Sequence, residues 1–248
     1  MMCTVSWIHQ DDGYDLLCNR DELHTRKPAH PPRIHERSAV RFIAPIDGDH
    51  GGSWIGVNQF GLSLCLLNRY QDDEQSTTGS KKSRGLLLAS LMGAPSRSEV
   101  HNSVLQTDLS RFQPFTLVAL EPQKKALLIH WTGRECVSDF DGDGAMPLTS
   151  SSYDPVGAGV SRQQCFERLV SGPRKSAELL FKFHASHEPV RGPYSTCMHR
   201  DDAKTVSFSW IRVATGTIEF RYDPVSPCSL WTDAGRVSTA LEISRTLR

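Results

Sequence analysis

Short apolar runs recur in closely spaced pairs along the 248 residues, and this pattern constrains the fold more than any other feature. Within each pair, a few turn-forming residues separate the two runs. Apolar runs of this kind joined by tight turns predict antiparallel hairpins. The predicted strand pairs are 3–9 with 13–19, 53–57 with 61–67, 115–120 with 126–131, and 206–213 with 217–222. In the second pair, Leu62, Leu64 and Leu66 would share one face.

Helices are predicted between the later strand pairs. Ser83 is placed to cap a helix that contains several leucines between residues 86 and 91. Glu99 stands three residues after Ser96 and forms a capping box, which predicts a helix over 96–107. Further helices are predicted over 161–170 and 176–184. Strand pairs that alternate with helices predict an α+β fold, with the helices packed outside two antiparallel sheets.

Three stretches contain turn-forming or polar residues without a period. Residues 24–37 include three prolines and predict an ordered surface loop, and residues 69–82 predict a polar connection. Residues 139–144 resemble the first half of an EF-hand loop. However, Ser150 occupies the position that requires a bidentate Glu, so a solvated loop is the favoured interpretation. The length is compatible with a single domain over residues 1–248.

The composition excludes several classes of protein. Lys plus Arg and Asp plus Glu both number 28, so the net charge of zero argues against nucleic acid as a partner. The seven cysteines are odd in number and widely spaced, which argues against a disulfide framework or a zinc ribbon. No apolar run approaches the roughly 20 residues of a membrane span, and the polar start lacks a secretory signal. We therefore expect a cytoplasmic protein without a membrane span.

The first strand pair carries a motif that resembles a known family. Residues 3–5 read Cys-Thr-Val, and residues 17–22 read Leu-Cys-Asn-Arg-Asp-Glu. A second block reads Gly-Ser-Trp-Ile-Gly-Val-Asn over 52–58 and continues with Leu-Asn-Arg over 67–69. Both blocks resemble the NRDE proteins, also called the Transport and Golgi organisation 2 family, as does the strand at 206–213.

The NRDE proteins are in turn similar to the N-terminal-nucleophile (Ntn) hydrolases of the bile-salt hydrolase and penicillin V acylase kind. This similarity implies a four-layer αββα sandwich of two antiparallel sheets. It also implies that Cys3 is the nucleophile, Asp21 the aspartate of the next strand, and Asn68 the oxyanion-hole asparagine. Arg20 lies close to, but not at, the position of the hydrolases' own arginine and is a further catalytic candidate. Asn19 is a candidate for substrate binding.

These residue types suit amide hydrolysis. A thiolate is a better nucleophile than a thiol, and an α-amine with a pKa of about 7.7–8 on the same residue can accept the thiol proton. The resemblance therefore implies a thioester intermediate on Cys3, which water would hydrolyse. Residue type alone favours other interpretations: an inert buried Cys3, an Asp21–Arg20 ion pair, and a turn or cap residue at Asn68.

Two departures from the hydrolase pattern bear on catalysis. Many relatives have an asparagine where this chain has Ser150, which we expect to take over its substrate-orienting role. The chain also has Met2 between Met1 and Cys3. Translation from Met1 would leave Met2 on Cys3, whereas translation from Met2 would expose the amine of Cys3.

A second function remains open at the sequence level. The fold could serve as a non-catalytic binding or trafficking protein for haem, acyl-CoA or another lipid, since eukaryotic NRDE relatives are linked to such ligands. The expected partner is accordingly a small amide or an apolar molecule, with no assigned oligomeric state.

Two features near residue 200 complete the candidates. Cys197 and His199 would share one side of an extended segment and could offer soft ligands to haem iron or another metal. A satisfied core position is the favoured interpretation, so neither a metal nor a cofactor is assigned. Arg200 is a candidate for an anionic substrate group, with Asp201 and Asp202 as alternative surface partners.

Overall fold

The computed structural model describes residues 2–70, 81–170, 172, 175–231 and 239–244. These residues form two antiparallel sheets and four α-helices. The first sheet has the order β10 (Leu148–Thr149), β1 (Met2–His9), β2 (Tyr14–Leu23), β11 (Ala203–Ala214), β12 (Thr217–Asp223) and β13 (Thr239–Ser244). The second has the order β3 (His30–Arg37), β4 (Val40–Ile46), β5 (Ile55–Asn58), β6 (Ser63–Asn68), β7 (Phe115–Leu120), β8 (Leu127–Trp131) and β9 (Cys136–Asp139). The helices are α1 (Arg84–Leu91), α2 (Arg97–Leu105), α3 (Pro155–Leu169) and α4 (Ala177–His184).

All four predicted strand pairs are hydrogen-bonded neighbours, namely β1 with β2, β5 with β6, β7 with β8, and β11 with β12. Strand β6 shows why the pattern was informative. Successive side chains of a strand point to opposite faces. Leu64 and Leu66 pack with α1 and α2, whereas Cys65 and Leu67 pack between the two sheets. The predicted shared face of the leucines is confirmed.

Three layers of buried side chains separate four layers of secondary structure. The central layer lies between the sheets and includes Val5, Cys18, Ile55 and Cys65. The layer beneath α1 and α2 covers the outer face of the second sheet, and the layer beneath α3 and α4 covers the outer face of the first. Full burial of each such leucine or phenylalanine contributes about 1.5–3 kcal/mol. The molecule is thus the predicted αββα sandwich.

Three helix starts follow from capping residues. Ser96 accepts a hydrogen bond from the Glu99 backbone N–H at 3.3 Å, and Ser176 accepts one from Leu179 at the start of α4. Ser83 precedes α1, but its side chain makes no capping hydrogen bond. The predicted start of α3 at residue 161 is wrong. Asp154 accepts a hydrogen bond from Gly157 N–H at 2.8 Å, so α3 begins at Pro155, a favoured residue for a first helical turn.

The prediction of a loop over 24–37 is wrong in its second half. Residues 30–37 form β3, the edge strand of the second sheet beside β4. Prolines are tolerated on edge strands and at bulges, because no ladder partner then needs their missing N–H. Pro31 and Pro32 lie where the β3–β4 register shifts between His30 and Arg33.

The predicted polar connection over 69–82 falls mostly on residues 71–80, which lie outside the described residues. Residues 139–144 run from the last residue of β9 into a short 3-10 turn at Gly142–Ala145. None of the helices in the described part of the chain is long and apolar enough to cross a membrane.

Candidate active site

Cys3 lies on β1, which pairs with β2 on one side and β10 on the other. Its side chain is completely buried between the sheets, close to the thiols of Cys18 and Cys65. The Cys65 sulfur lies 3.8 Å from the Cys18 sulfur. A hydrogen bond with the Cys18 thiol, together with burial, raises the pKa of the Cys3 thiol well above its usual value. Cys3 is therefore a neutral thiol in this state and needs a base before it can react.

The backbone of Cys3 is held by Ser150, just beyond β10. The Cys3 N–H donates to Ser150 Oγ at 3.0 Å, and the Ser150 N–H donates to the Cys3 carbonyl at 2.9 Å. Ser150 was predicted to orient the substrate. The structure places its hydroxyl on the nitrogen that would become the α-amine of a processed chain.

Asp21 lies on the opposite face of the same sheet. Cys3 is directly opposite Arg20 in the β1–β2 ladder, so these two side chains share the inner face while Asp21 points toward α3. Asp21 Oδ1 accepts a hydrogen bond from Thr205 Oγ1 at 2.6 Å, and Oδ2 lies 3.5 Å from Arg162 Nη2.

Burial raises the pKa of the Asp21 carboxyl, and the Arg162 charge and the Thr205 hydrogen bond oppose that rise. Oδ2 has no hydrogen bond to any of the described residues. One oxygen of the carboxyl is therefore held by a short hydrogen bond, while the other forms a longer ion pair with the buried Arg162 guanidinium.

Arg162 is the site residue that the sequence prediction missed. It projects from α3, is fully buried, and donates from Nη1 to Thr4 Oγ1 at 2.7 Å. One signal was present in the sequence. Arg162 stands three and four residues before Cys165 and Phe166, so a cation occupies the apolar face of the predicted helix. A buried cation on such a face requires a charged partner, which Asp21 provides.

Arg20 is fixed by a buried ion-pair network. Its Nη2 lies 2.6 Å from Asp47 Oδ2 and 3.1 Å from Glu22 Oε2, and its guanidinium carbon stands 4.3 Å from the centre of a Trp54 ring. Arg26 Nη2 donates to the same Asp47 oxygen at 2.7 Å. Arg20 thus contributes a fixed positive charge to the face that contains Cys3.

Asn68 ends β6 and borders two cavities. One, of about 390 Å³, is lined by acidic and basic side chains that include Glu22, Arg26 and Asp47. The other, of about 270 Å³, is lined by Asn68, Tyr70, His130 and Ser150 among others. Asn68 Nδ2 donates to Tyr70 Oη at 3.1 Å. Burial raises the pKa of Tyr70, and the hydrogen bond with Asn68 opposes that rise. The second cavity is therefore lined by both Asn68 and Ser150, and Ser150 is hydrogen-bonded to the backbone of Cys3.

Asn19 makes structural contacts. Its Nδ2 donates to the carbonyls of His184 and Thr196, each at 2.9 Å, and its Oδ1 lies 3.0 Å from His184 Nδ1. The side chain is fully buried, and it joins β2 to the end of α4 and to the segment before β11. These contacts use both amide hydrogens, so they do not favour the predicted role in substrate binding.

Arg200 also has local partners. Its Nη2 donates to Asp202 Oδ2 at 2.6 Å, and its guanidinium carbon stands 5.0 Å from the centre of the Tyr153 ring. This is the alternative surface pairing that the sequence left open. Of the predicted residues, the structure thus places Ser150 and Asn68 on one cavity and Cys3 beside Ser150, with Asp21 and Arg20 on the two faces of the neighbouring strand.

Comparison with known proteins gives the same fold. The family model for Transport and Golgi organisation 2 matches residues 2–213. No curated protein matches the sequence. A Caenorhabditis elegans N-acylethanolamine-hydrolyzing acid amidase ortholog has a TM-score of 0.58 and 12% identity, covering 85% of this chain and 92% of its own. A mutant conjugated bile acid hydrolase from Clostridium perfringens has a TM-score of 0.55 and 11% identity. The match covers 99% of this chain and 97% of the hydrolase. Penicillin V acylase from Agrobacterium tumefaciens has a TM-score of 0.56 and 9% identity. The match covers 98% of this chain and 86% of the acylase. At these identities the likeness shows a shared Ntn hydrolase-like fold.

Proposed function

Since this chain belongs to the Transport and Golgi organisation 2 family, within an Ntn hydrolase-like fold, we propose that it is a cysteine amidohydrolase. Its substrate would be a small acylated molecule with a linear amide bond. The structural neighbours are named for amide substrates, namely N-acylethanolamines, conjugated bile acids and penicillin V. The observation that carries the proposal is the hydrogen bond from the Cys3 backbone to Ser150, which lines one cavity together with Asn68.

The proposed reaction requires a Cys3 with a free α-amine. The amine takes the thiol proton, and the sulfur attacks the amide carbon to form a tetrahedral intermediate. Asn68 Nδ2 donates a hydrogen bond to the oxyanion. The C–N bond breaks, the leaving amine takes the proton from the α-ammonium group, and a thioester remains on Cys3. Water then attacks the thioester, with the α-amine as base, and releases the carboxylic acid and the thiol.

The surrounding residues would position these groups. Ser150 Oγ, already 3.0 Å from the Cys3 nitrogen, would orient the α-amine toward the sulfur. Asp21, held by Thr205 and Arg162, would stabilise the protonated amine from the other face of the strand. Arg20 would offset the negative charge that develops on the face of Cys3. These roles make Ser150, Asp21 and Arg20 positioning residues, while Cys3 and Asn68 contact the reacting atoms.

We expect Asn68→Ala to lower kcat by about 10²–10³-fold, the usual cost of losing one oxyanion donor. KM should change little, because the hydrogen bond strengthens mainly in the transition state. Steady-state kinetics on a cleaved amide would measure both constants. Asn102→Ala, on the exposed side of α2, is the matched control and should leave both constants unchanged. An unaltered kcat in Asn68→Ala would remove Asn68 from the mechanism.

The activity itself can be tested on a panel of N-acyl amides that vary in acyl length and amine. The protein would be produced in two forms, one that begins at Cys3 after cleavage of a removable leader and one that retains Met2. We expect only the first form to hydrolyse a member of the panel, and Cys3→Ala in that form to abolish hydrolysis. Equal rates in the two forms, or hydrolysis by Cys3→Ala, would contradict the mechanism.

One observation favours a second function. The Cys3 thiol is fully buried and has a raised pKa, which describes an unreactive cysteine. The same fold would then bind haem, acyl-CoA or another lipid without catalysis. Saturable binding of such a ligand by both forms, with no amide hydrolysed by either, would support this carrier. The proposal also retains a cytoplasmic location.

A further inference from the structure

Four side chains with soft or borderline ligand atoms converge outside the candidate active site. They are His187, Cys197, His199 and Cys228, and their four ligand atoms all lie within 4.8 Å of one another. Three come from the segment between α4 and β11, and the fourth comes from the 3-10 turn that follows β12. The cluster therefore joins two parts of the chain that are separated by the β11–β12 hairpin.

Two sulfur–nitrogen distances in the cluster match a tetrahedral metal. Zn–S bonds of about 2.3 Å and Zn–N bonds of about 2.0–2.1 Å, at tetrahedral angles, place sulfur and nitrogen about 3.6 Å apart. The sulfurs of Cys197 and Cys228 each lie 3.5 Å from Nε2 of His199. Two thiolates and two imidazoles select zinc over hard cations such as Mg²⁺ and Ca²⁺. We propose that His187, Cys197, His199 and Cys228 form a structural zinc site.

The burial of the cluster supports a closed structural site. Cys197 is fully buried and the other three residues are partly buried. His187 Nε2 is shielded from solvent and has no hydrogen-bond partner among the described residues. The imidazole of His187 can thus reorient around a metal with no loss of a hydrogen bond at that nitrogen.

One contact must change when a metal binds. Arg191 Nη2 lies 3.2 Å from His199 Nδ1. An imidazole that binds a metal through Nε2 carries its proton on Nδ1, which cannot accept a hydrogen bond from a guanidinium. Arg191 is exposed, so its side chain can swing into solvent without leaving a buried charge.

The metal would stabilise a segment that has little regular structure. Residues 185–202 contain no helix or strand, and only the isolated bridge between His199 and Lys204 is recorded there. Segments of this length without secondary structure are uncommon in compact folds and require other constraints. Zinc ligands at both ends of this segment, together with Cys228, would fix it against the first sheet.

The cluster is also connected to the candidate active site. Met198, between Cys197 and His199, donates its N–H to Thr205 Oγ1 at 2.9 Å, and its carbonyl accepts from Thr205 N–H at 2.8 Å. The Thr205 hydroxyl in turn donates to Asp21 at 2.6 Å. Zinc loss would therefore weaken the hydrogen bonds that position Thr205, whose hydroxyl holds Asp21. Zinc binding itself does not depend on catalysis.

The test is metal analysis of the full chain after purification without chelator. We expect about one zinc per chain by mass spectrometry, and a lower Tm after chelation that added zinc restores. Cobalt in place of zinc should give the intense thiolate charge-transfer and visible bands of a tetrahedral site. Cys197→Ala and Cys228→Ala should each weaken zinc binding by more than roughly 100-fold. Loss of a residue that only hydrogen-bonds to a ligand lowers metal affinity by about 10–100-fold, and loss of the ligand itself should lower it further.

Cys136→Ala is the matched control, since Cys136 lies on β9 as a partly buried free thiol outside the cluster. It should bind zinc as the parent does. If a variant fails to fold, the cobalt spectrum of the parent chain still decides the question. Folded parent protein that takes up neither metal, or that shows a Cys197–Cys228 disulfide by the loss of two hydrogens in mass, would overturn the proposal.

Discussion

Replacement of Arg162 by methionine is expected to lower the free energy of unfolding by about 3–5 kcal/mol, the usual result of breaking a buried ion pair from one side. Arg162 and Asp21 are both fully buried, and the guanidinium also donates to Thr4. Methionine preserves much of the volume but leaves the carboxylate without its cation. Urea denaturation at neutral pH would measure the change.

The double variant Arg162→Met, Asp21→Asn distinguishes charge from packing. Because neither charge remains, we expect it to be more stable than Arg162→Met alone. Arg168→Met, at the exposed end of α3, removes a surface ion pair with Glu188 and should change stability by less than about 1 kcal/mol. If Arg162→Met stays within about 1 kcal/mol of the parent, the buried pair does not stabilise the fold.

Acid is expected to destabilise the protein through His184. Burial, with a smaller contribution from the Arg162 charge, lowers the pKa of His184 to about 3. The neutral ring lies 2.8 Å from Ser6 Oγ and 3.0 Å from Asn19 Oδ1. In the unfolded chain a histidine binds a proton near pH 6.5, but the folded state does so only near pH 3. The contribution of the neutral His184 ring to stability is therefore fully present well above pH 6.5, and it is lost as the pH falls from 6.5 toward 3.

Well below pH 6.5 the slope approaches about 1.4 kcal/mol per pH unit, so roughly 2 kcal/mol is lost between pH 6.5 and pH 4.5. Chemical denaturation at half-unit steps would give the curve. The glutamine of His184→Gln cannot titrate. This variant should be less stable at neutral pH, but between pH 6.5 and pH 4.5 it should lose roughly 2 kcal/mol less stability than the parent. Parallel curves for the two proteins would show that His184 is protonated in the folded state or accessible to solvent.

Much of the fold could be predicted from local patterns. The hairpins follow from apolar runs that short turns separate, and Ser96 and Ser176 cap their helices through contacts three residues away. Strand β3 could not be recognised, because its prolines and charges resemble a loop, and only its edge position beside β4 makes a strand possible. Local sequence does not reveal which strand will lie at an edge.

The proximity of the candidate residues could be predicted as far as the motif extends. Cys3 and Asp21 lie on adjacent strands joined by a tight turn, so their proximity follows from the sequence. Arg162 and Thr205 reach Asp21 from positions more than 140 residues away along the chain, and no local pattern predicts such a contact. Asn19 belongs to the motif, but its contacts, which join β2 to α4, could not be predicted from the motif. The cluster around His199 likewise includes Cys228, which lies beyond the β11–β12 hairpin in the sequence, and no local pattern predicts that contact.

The most direct test of the proposed mechanism is the capture of an acyl group on Cys3. Protein that begins at Cys3 would be mixed with a reactive N-acyl amide and quenched in acid within the first turnover, so that the acyl group stays on sulfur. Intact mass and peptide mapping should then show a thioester on the peptide that begins with Cys3, which decays as the acid is released and is absent from Cys3→Ala. A chain that hydrolyses the amide with no acyl group on Cys3, or with the group on another cysteine, would contradict the assignment of Cys3 as the nucleophile.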